Sequence, residues 1–211
     1  MRLVVIDFEA TCLKNGDYDA EFIKKQEIIE VGMCIVEPEE VNTIHQVSLI
    51  VKPEFNPLLT DFCVELTGIT QDHVDKGLPF AEALAIMEIF FKPGDIFCAW
   101  GNFDASLLKK NCELHDIKNP CEDWPHINVK QFAVDWFGIE PCGIKAICDM
   151  LGIPFQGQLH RGLNDASNIV NVLKQIQIDD CLPIGEAFDE YSKIGKDCFV
   201  NLRKKLEAGI G

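Results

Sequence analysis

The feature that most constrains the fold is a short apolar run that is followed at once by two acids. Residues 3–6 are all apolar and three of them are β-branched, which is typical of a buried central strand. Asp7 and Glu9 come next, and residues two apart on a strand point to the same face. Burial penalises both charges and they repel each other, and a divalent cation would remove both problems. This stretch therefore indicates either a metal site or the start of a solvated loop.

Length and composition predict one globular domain over residues 1–211, with a core of about 1–180 and a C-terminal helical extension of about 181–211. Only four apolar residues precede Asp7, too few for a signal peptide, so we expect a cytoplasmic protein. The ten cysteines include no Cys-x-x-Cys pair. We expect them to be reduced and buried as small hydrophobes, rather than to form a zinc site or a disulfide framework.

The charge balance limits the kind of nucleic-acid binding that this chain can perform. With 34 acidic and 19 basic residues, its formal net charge is −15. A protein that coats long duplexes neutralises many phosphates with Lys and Arg, so the net charge argues against that class. An enzyme that holds a few nucleotides through metal ions remains possible, and an acidic surface that serves only solubility does too.

The order of predicted elements indicates an α/β domain with a mixed sheet. Predicted strands over residues 3–6, 28–36 and 43–52 are joined by short connections, which favours an antiparallel meander. A further strand over 96–100 lies among helices, whereas residues 127–137 mix strand and helix character and cannot be divided. Residues 14–25 are predicted as a loop. The predicted helices cover 60–66, 71–75, 78–92, 104–115, 143–151 and 164–176, with one or two more over 184–206. Thr60 and Thr70 are predicted to cap the first two.

Two further acids and a histidine indicate a functional site when they are considered together. Asp104 opens a helix after the strand over 96–100, and Asp165 lies in the first turn of another helix, so helix capping and the helix dipole explain each alone. His160, taken alone, is a loop histidine of the kind usually found at the surface. Together with Asp7 and Glu9, these acids occupy strand ends and helix starts, where α/β sheets bind ligands. Four carboxylates can hold two Mg²⁺ that clamp a phosphoryl displacement, and a histidine is the natural base at neutral pH.

The chain resembles the DEDDh 3′–5′ exonucleases, and most closely the eukaryotic exoribonucleases that trim the 3′ ends of histone mRNA, small interfering RNA and ribosomal RNA. The resemblance implies an RNase H-like fold, a mixed five-stranded sheet with helices on both faces. The matching segments occur in the family's order, at residues 6–12, 27–32, 61–63, 66–75, 100–104, 127–130 and 157–169.

The resemblance also implies a role for each matching site residue. Two Mg²⁺ or Mn²⁺ ions would be bound by the four acids Asp7, Glu9, Asp104 and Asp165, and His160 would be the general base. The sugar of the terminal nucleotide would be lined by Ala10 and Thr11. Its base would be packed by Phe62, Leu66 and Phe103.

One position distinguishes the chain from the sister subtype, and two others depart from the family's pattern. Arg161 stands where the sister subtype carries a catalytic Tyr, so the chain fits the His subtype. Asn164 stands where many members have a second Asp, and Phe103 stands where the similar branch often has Trp, which could reshape base stacking. The resemblance therefore does not carry over the choice of substrate.

The sequence predicts a metal-dependent exonuclease that acts on single-stranded 3′ ends, RNA rather than DNA, with no membrane partner. The alternative is a catalytically idle relative that serves as a binding or regulatory subunit. The presence of all four acids and His160 favours the enzyme. Trp124 and Trp136 are expected in the core, and the basic cluster at residues 203–205 is expected to be a solvated helix end or, alternatively, a phosphate contact.

Overall fold

The computed structural model describes residues 1–14, 16–17 and 19–180. The helices predicted over 184–206 and the basic cluster at 203–205 lie outside these residues. Within the described part of the chain, no helix is both long enough and apolar enough to cross a membrane.

A mixed sheet of five strands forms the centre of the molecule. The strands are β1 (Leu3–Ala10), β2 (Ile28–Glu37), β3 (Asn42–Ile50), β4 (Ile96–Ala99) and β5 (His126–Asn128). Their order is β3-β2-β1-β4-β5. The first three pair antiparallel, whereas β4 runs parallel to β1 and β5 parallel to β4. The structure thus confirms the predicted meander, the mixed sheet and the α/β class.

Helices cover both faces of the sheet, as predicted. Their bounds are α1 (Ala20–Lys24), α2 (Asp61–Thr67), α3 (Gln71–Asp75), α4 (Phe80–Glu88), α5 (Phe103–Leu114), α6 (Val129–Phe137), α7 (Ile144–Leu151) and α8 (Gly162–Asp180). The predicted caps are present, since Thr60 accepts a hydrogen bond at the start of α2 and Thr70 at the start of α3. Such caps satisfy amide groups that have no partner within the helix.

One prediction needs correction, and the structure divides one segment that the sequence left undivided. The predicted loop over 14–25 contains the short helix α1, because the Asp19 side chain accepts hydrogen bonds from the amides of Glu21 and Phe22. The undivided segment 127–137 splits at Asn128, which ends β5 and whose side chain caps α6 by accepting from the Gln131 amide. One residue thus serves both elements, which is why the two periodicities overlap.

Alternation along β1 divides the core into two layers. Leu3 and Val5 pack with α6, α7 and α8 on one face, whereas Val4 and Ile6 pack with α4 and α5 on the other. All of these strand side chains are fully buried. Asp7 and Glu9 continue the alternation of Leu3 and Val5, so they emerge on the face that α8 covers.

The start of α8 lies so close to the sheet that the two backbones are in contact. Gly32 pairs with Asp7 across β1 and β2, and a Cβ atom on Gly32 would lie 1.8 Å from the carbonyl carbon of Gly162. A Cβ on Gly162 would in turn lie 2.8 Å from the Asp7 carbonyl oxygen. Only glycine permits this approach, which brings the first turn of α8 directly onto the end of β1.

The remaining composition predictions agree with the packing. Six of the eight described cysteines are buried. Trp136, which belongs to α6, lies in the core, and Trp124 is half-buried against the opposite layer.

Candidate active site

The C-terminal end of β1 brings three of the predicted acids together. Asp7 and Glu9 project from this strand, and Glu9 is only 8% exposed. Asp104 lies in the first turn of α5, directly after the neighbouring strand β4, and is also buried. Its Oδ1 accepts a hydrogen bond from the Phe8 amide at 2.9 Å. The Asp104 carboxylate therefore reaches across to β1, between the two acids of that strand.

The loop before α8 supplies the fourth acid and the histidine. The His160 amide donates to Asp165 Oδ2 at 2.7 Å, which fixes these two residues relative to each other. His160 has a φ of 61°, a left-handed conformation that is uncommon for a residue with a side chain. Since Gly162 lies against Gly32, this loop is held over the end of β1.

All five predicted catalytic residues line one open cavity of about 420 Å³. They are Asp7, Glu9, Asp104, His160 and Asp165. Phe103, which is 52% exposed, also lines it, so an aromatic face is available beside the acids. The structure therefore favours the metal site over the solvated loop that the first acids alone left open.

Burial and mutual repulsion raise the pKa values of these acids. Burial, followed by the charge of Asp104, raises the pKa of Asp7 well above its ordinary value. The pKa of Glu9 rises to about 8, through burial and then the charge of Asp165. Burial raises the pKa values of Asp104 and Asp165 to about 6, against the hydrogen bonds that their carboxylates accept. A cluster with these pKa values resists full ionisation unless a cation compensates the charge.

The residues fit a bound divalent cation on two observations. One ligand atom from each of Glu9, His160 and Asp165 lies within 4.8 Å of the others. Asp165 Oδ1 is buried and has no hydrogen-bond partner among the residues that the structure describes. A buried carboxylate oxygen without a partner is costly, and a metal ion would satisfy it. Oxygen ligands of this kind are the ones that Mg²⁺ and Mn²⁺ prefer.

Burial lowers the pKa of His160. The imidazole is therefore neutral at physiological pH and able to accept a proton, as a general base must be.

Four predicted substrate contacts do not line this cavity. Ala10 is nearly buried, and Thr11 is 1% exposed. The Thr11 hydroxyl accepts a hydrogen bond from the Glu27 amide at 3.0 Å, so its side chain holds the strand end rather than facing solvent. Phe62 and Leu66 lie half-buried on α2. Their contact with a nucleotide stays a prediction.

Sequence reasoning missed two other groups at the site. The cavity is also lined by Trp100, which lies in the matching segment 100–104, and by Lys145 at the start of α7, which belongs to no recognisable pattern. Glu30 and Arg161 form an ion pair beside the cavity. Both lie in matching segments, and a glutamate within the apolar run of β2 was a further signal, since a buried acid needs a partner.

Comparison with known proteins agrees with this geometry. A sequence profile of the exonuclease (RNase_T) family matches residues 4–173. The chain is 30% identical to mouse 3′-5′ exoribonuclease 1 in an alignment of 189 residues that covers 85% of this chain and 54% of that protein. It is 29% identical to ERI1 exoribonuclease 2 of Xenopus laevis, covering 85% of this chain and 29% of that protein. The chain thus spans about half or less of these relatives.

One solved structure covers nearly the same extent. It is the nuclease domain of 3′hExo, a DEDDh family member, bound to rAMP. The two chains are 29% identical with a TM-score of 0.74, over 85% of this chain and 93% of the other. The five-stranded sheet, the cavity with its four acids and the profile match over residues 4–173 agree with the predicted resemblance to the DEDDh exonucleases, and the chain belongs to the exonuclease (RNase_T) family.

Proposed function

We propose that this chain is a metal-dependent 3′–5′ exonuclease that releases nucleoside 5′-monophosphates from single-stranded 3′ ends. The observation that carries the proposal is the convergence of four carboxylates and His160 in one open cavity. Oδ1 of Asp165, which has no hydrogen-bond partner within the described part of the chain, adds a specific need for a cation. A relative that only binds nucleic acid would have no use for such a costly arrangement.

The proposed cofactor is a pair of Mg²⁺ or Mn²⁺ ions, held by Asp7, Glu9, Asp104 and Asp165. When bound, such ions stabilise charge on the attacking and leaving oxygens of a phosphodiester and orient both. The chain's own acids supply the charge that retains the ions. The short hydrogen bond from the His160 amide to Asp165 Oδ2 leaves Oδ1 available as a ligand.

In this mechanism His160 takes the proton from the attacking water at an imidazole nitrogen. Phe103 offers its exposed ring to the terminal base, a contact that stabilises binding whatever the base. Phe62 and Leu66 are proposed to complete the base pocket, with Ala10 and Thr11 beside the sugar. For the last two, backbone atoms are the better candidates, because the Thr11 hydroxyl is already engaged with Glu27.

RNA is the proposed substrate rather than DNA. Support comes from relatives that are named exoribonucleases and from the 3′hExo nuclease domain, which binds rAMP. We also propose a single domain over 1–211 and a cytoplasmic location. Eight free thiols within the described chain, six of them buried, are compatible with a reducing compartment.

The test uses single-stranded RNA and DNA of one sequence, each labelled at the 5′ end, with Mg²⁺, Mn²⁺ or EDTA. The expected result is a ladder that shortens from the 3′ end only with metal, and faster on RNA. Asp165→Asn is the matched control, because Asn keeps the side-chain shape but lacks the charge that a divalent ion requires. It should abolish turnover and leave the fold intact.

Intact RNA under every metal condition, with RNA still bound in a fluorescence anisotropy titration, would support the idle binding subunit instead. Equal activity of Asp165→Asn and the parent protein would remove Asp165 from the site. A 3′-labelled substrate should release a nucleoside 5′-monophosphate, whereas a larger first product would indicate an endonuclease.

A further inference from the structure

Glu30 is an acid that the catalytic mechanism does not use, although it lies beside the site. It is 1% exposed and pairs across the β1–β2 ladder with Glu9. Arg161 donates to both of its carboxylate oxygens, through Nε at 3.1 and 3.2 Å and through Nη2 at 2.9 Å. The Gly162 amide donates to Oε2 at 2.9 Å. A single buried carboxylate on β2 thus holds the two residues that follow His160.

The segment that Glu30 holds needs an external restraint. His160 adopts a left-handed backbone conformation, which persists in a residue with a side chain only when its surroundings enforce it. On one side, the His160 amide is tied to Asp165. On the other side, Arg161 and Gly162 are tied to Glu30. The loop is therefore fixed at both ends of the strained residue.

The charge of Arg161 has a second effect. Glu30 adds a fifth carboxylate to a region that already contains four, and it lies directly opposite Glu9. Arg161 brings a permanent positive charge to that carboxylate. Without Arg161, the negative charge of Glu30 would be buried and uncompensated, and the loop carrying His160 would lose its anchor.

We propose that Glu30 and Arg161 form a positioning pair, which acts on the reaction by holding His160 and Asp165 toward the cavity. Neither residue touches the reacting atoms in this assignment. The inference rests on the proposed function for its kinetic readout, and it has a separate readout in the metal-free protein. If the pair only stabilised the fold, removing a similar ion pair elsewhere in the protein would affect catalysis equally. A positioning role predicts that only the loss of Glu30 or Arg161 affects catalysis.

The chain provides that matched control. Arg2 donates to Asp95 through Nε at 3.0 Å and through Nη2 at 2.6 Å, and Asp95 is 2% exposed. These two residues directly precede β1 and β4. Because those strands are parallel, the pair lies at their N-terminal ends, whereas the acids lie at the C-terminal ends. Arg2→Met therefore removes a comparable buried ion pair far from the cavity.

The first experiment compares Arg161→Met, Arg161→Lys and Glu30→Gln with Arg2→Met. Thermal unfolding should show that Arg161→Met and Arg2→Met both lose stability. Steady-state kinetics on single-stranded RNA should show a kcat loss of about 10–100-fold for Arg161→Met alone, the usual scale for residues that orient a metal site or its ligands. KM should change little. Arg161→Lys keeps the charge but not the bidentate hydrogen bonding to Glu30, so it should recover part of the lost kcat.

The second experiment does not depend on activity. Imidazole ¹⁵N signals of the five histidines are recorded by NMR for each metal-free variant. Arg161→Met and Glu30→Gln should shift or broaden the His160 signals, and Arg2→Met should leave those signals unchanged.

Unchanged His160 signals in both Arg161→Met and Glu30→Gln would overturn the proposal, as would a kcat loss no greater than that of Arg2→Met. If the parent protein itself cleaves no RNA, the proposed function fails, and the NMR comparison still decides whether this pair positions His160.

Discussion

The raised pKa of Glu9 predicts that the metal-free protein becomes less stable as the pH rises. A carboxyl group with a raised pKa holds its proton more tightly in the folded state than in the unfolded chain. Below about pH 4.5 Glu9 is protonated in both states and the difference has no effect. Between pH 4.5 and about 8 the unfolded chain ionises first, so stability falls, and above pH 8 the full loss is present.

The size of this loss follows from the two pKa values. The ordinary glutamate value is 4.5 and that of Glu9 is about 8. At 1.36 kcal/mol per pH unit, the difference corresponds to about 5 kcal/mol. A change of 1 kcal/mol moves the melting temperature of a chain of this length by about 2–4 °C, so the full effect is roughly 10–20 °C. Asp104 and Asp165, with pKa values of about 6, contribute most of their loss at lower pH.

The assay is thermal unfolding in EDTA between pH 6 and 8.5, a range at or above the pKa values of Asp104 and Asp165. The pKa of Asp7 is raised as well, so the comparison with a Glu9 variant is what identifies the contribution of Glu9. Glu9→Gln is the control, because Gln has a similar shape and does not titrate. The melting temperature of the parent protein should fall steeply over this range and that of Glu9→Gln should fall much less. Saturating Mg²⁺ should flatten the parent curve. Equal falls for parent and variant would refute the reasoning.

Three further changes test other parts of the site. His160→Asn should lower kcat by about 10²–10⁴-fold and leave the affinity for Mn²⁺, measured by calorimetry, unchanged. Asn is chosen because it tolerates the left-handed backbone conformation. A loss of Mn²⁺ affinity would show that His160 is a metal ligand. Phe103→Ala should raise KM alike for RNAs ending in each base, since stacking contributes about 1–3 kcal/mol regardless of sequence, and base-dependent effects would contradict this. Gly32→Ala should lower both the melting temperature and the activity, because the new methyl group would overlap Gly162. Such overpacking costs about 1–3 kcal/mol. An unaffected variant would argue against the contact between Gly32 and Gly162. The affinity for single-stranded RNA should depend weakly on salt. The slope of log affinity against log salt concentration should be about −1 to −3, since each neutralised phosphate contributes about −0.7.

Local patterns explain what could be predicted from the sequence. The alternation of β1 identified Asp7 and Glu9, and the Thr70 cap marked the start of α3, because each signal lies within a few neighbouring residues. The helix α1 escaped detection because it spans only five residues and none of them is buried. For so short a helix, the Asp19 cap carries more information than hydrophobic periodicity.

Long-range partners could not be predicted in the same way. Glu30 and Arg161 are 131 residues apart in the chain, and only the folded sheet brings them together. The close approach of Gly32 and Gly162 depends on two glycines that each fit an ordinary strand or helix start. The cavity wall at Lys145 likewise depends on how α7 packs beside α8.

The docking of α8 on Gly32 also determines when the site can first exist during synthesis. Asp165 is synthesised roughly 160 residues after Asp7. At about 5–20 residues per second, that interval lasts roughly 8–30 s. Until α8 is made, the growing chain carries at most three of the four acids. A ribosome-bound chain that has stalled before α8 therefore has no complete catalytic centre, so the proposed nuclease activity begins only after translation has passed the last acid.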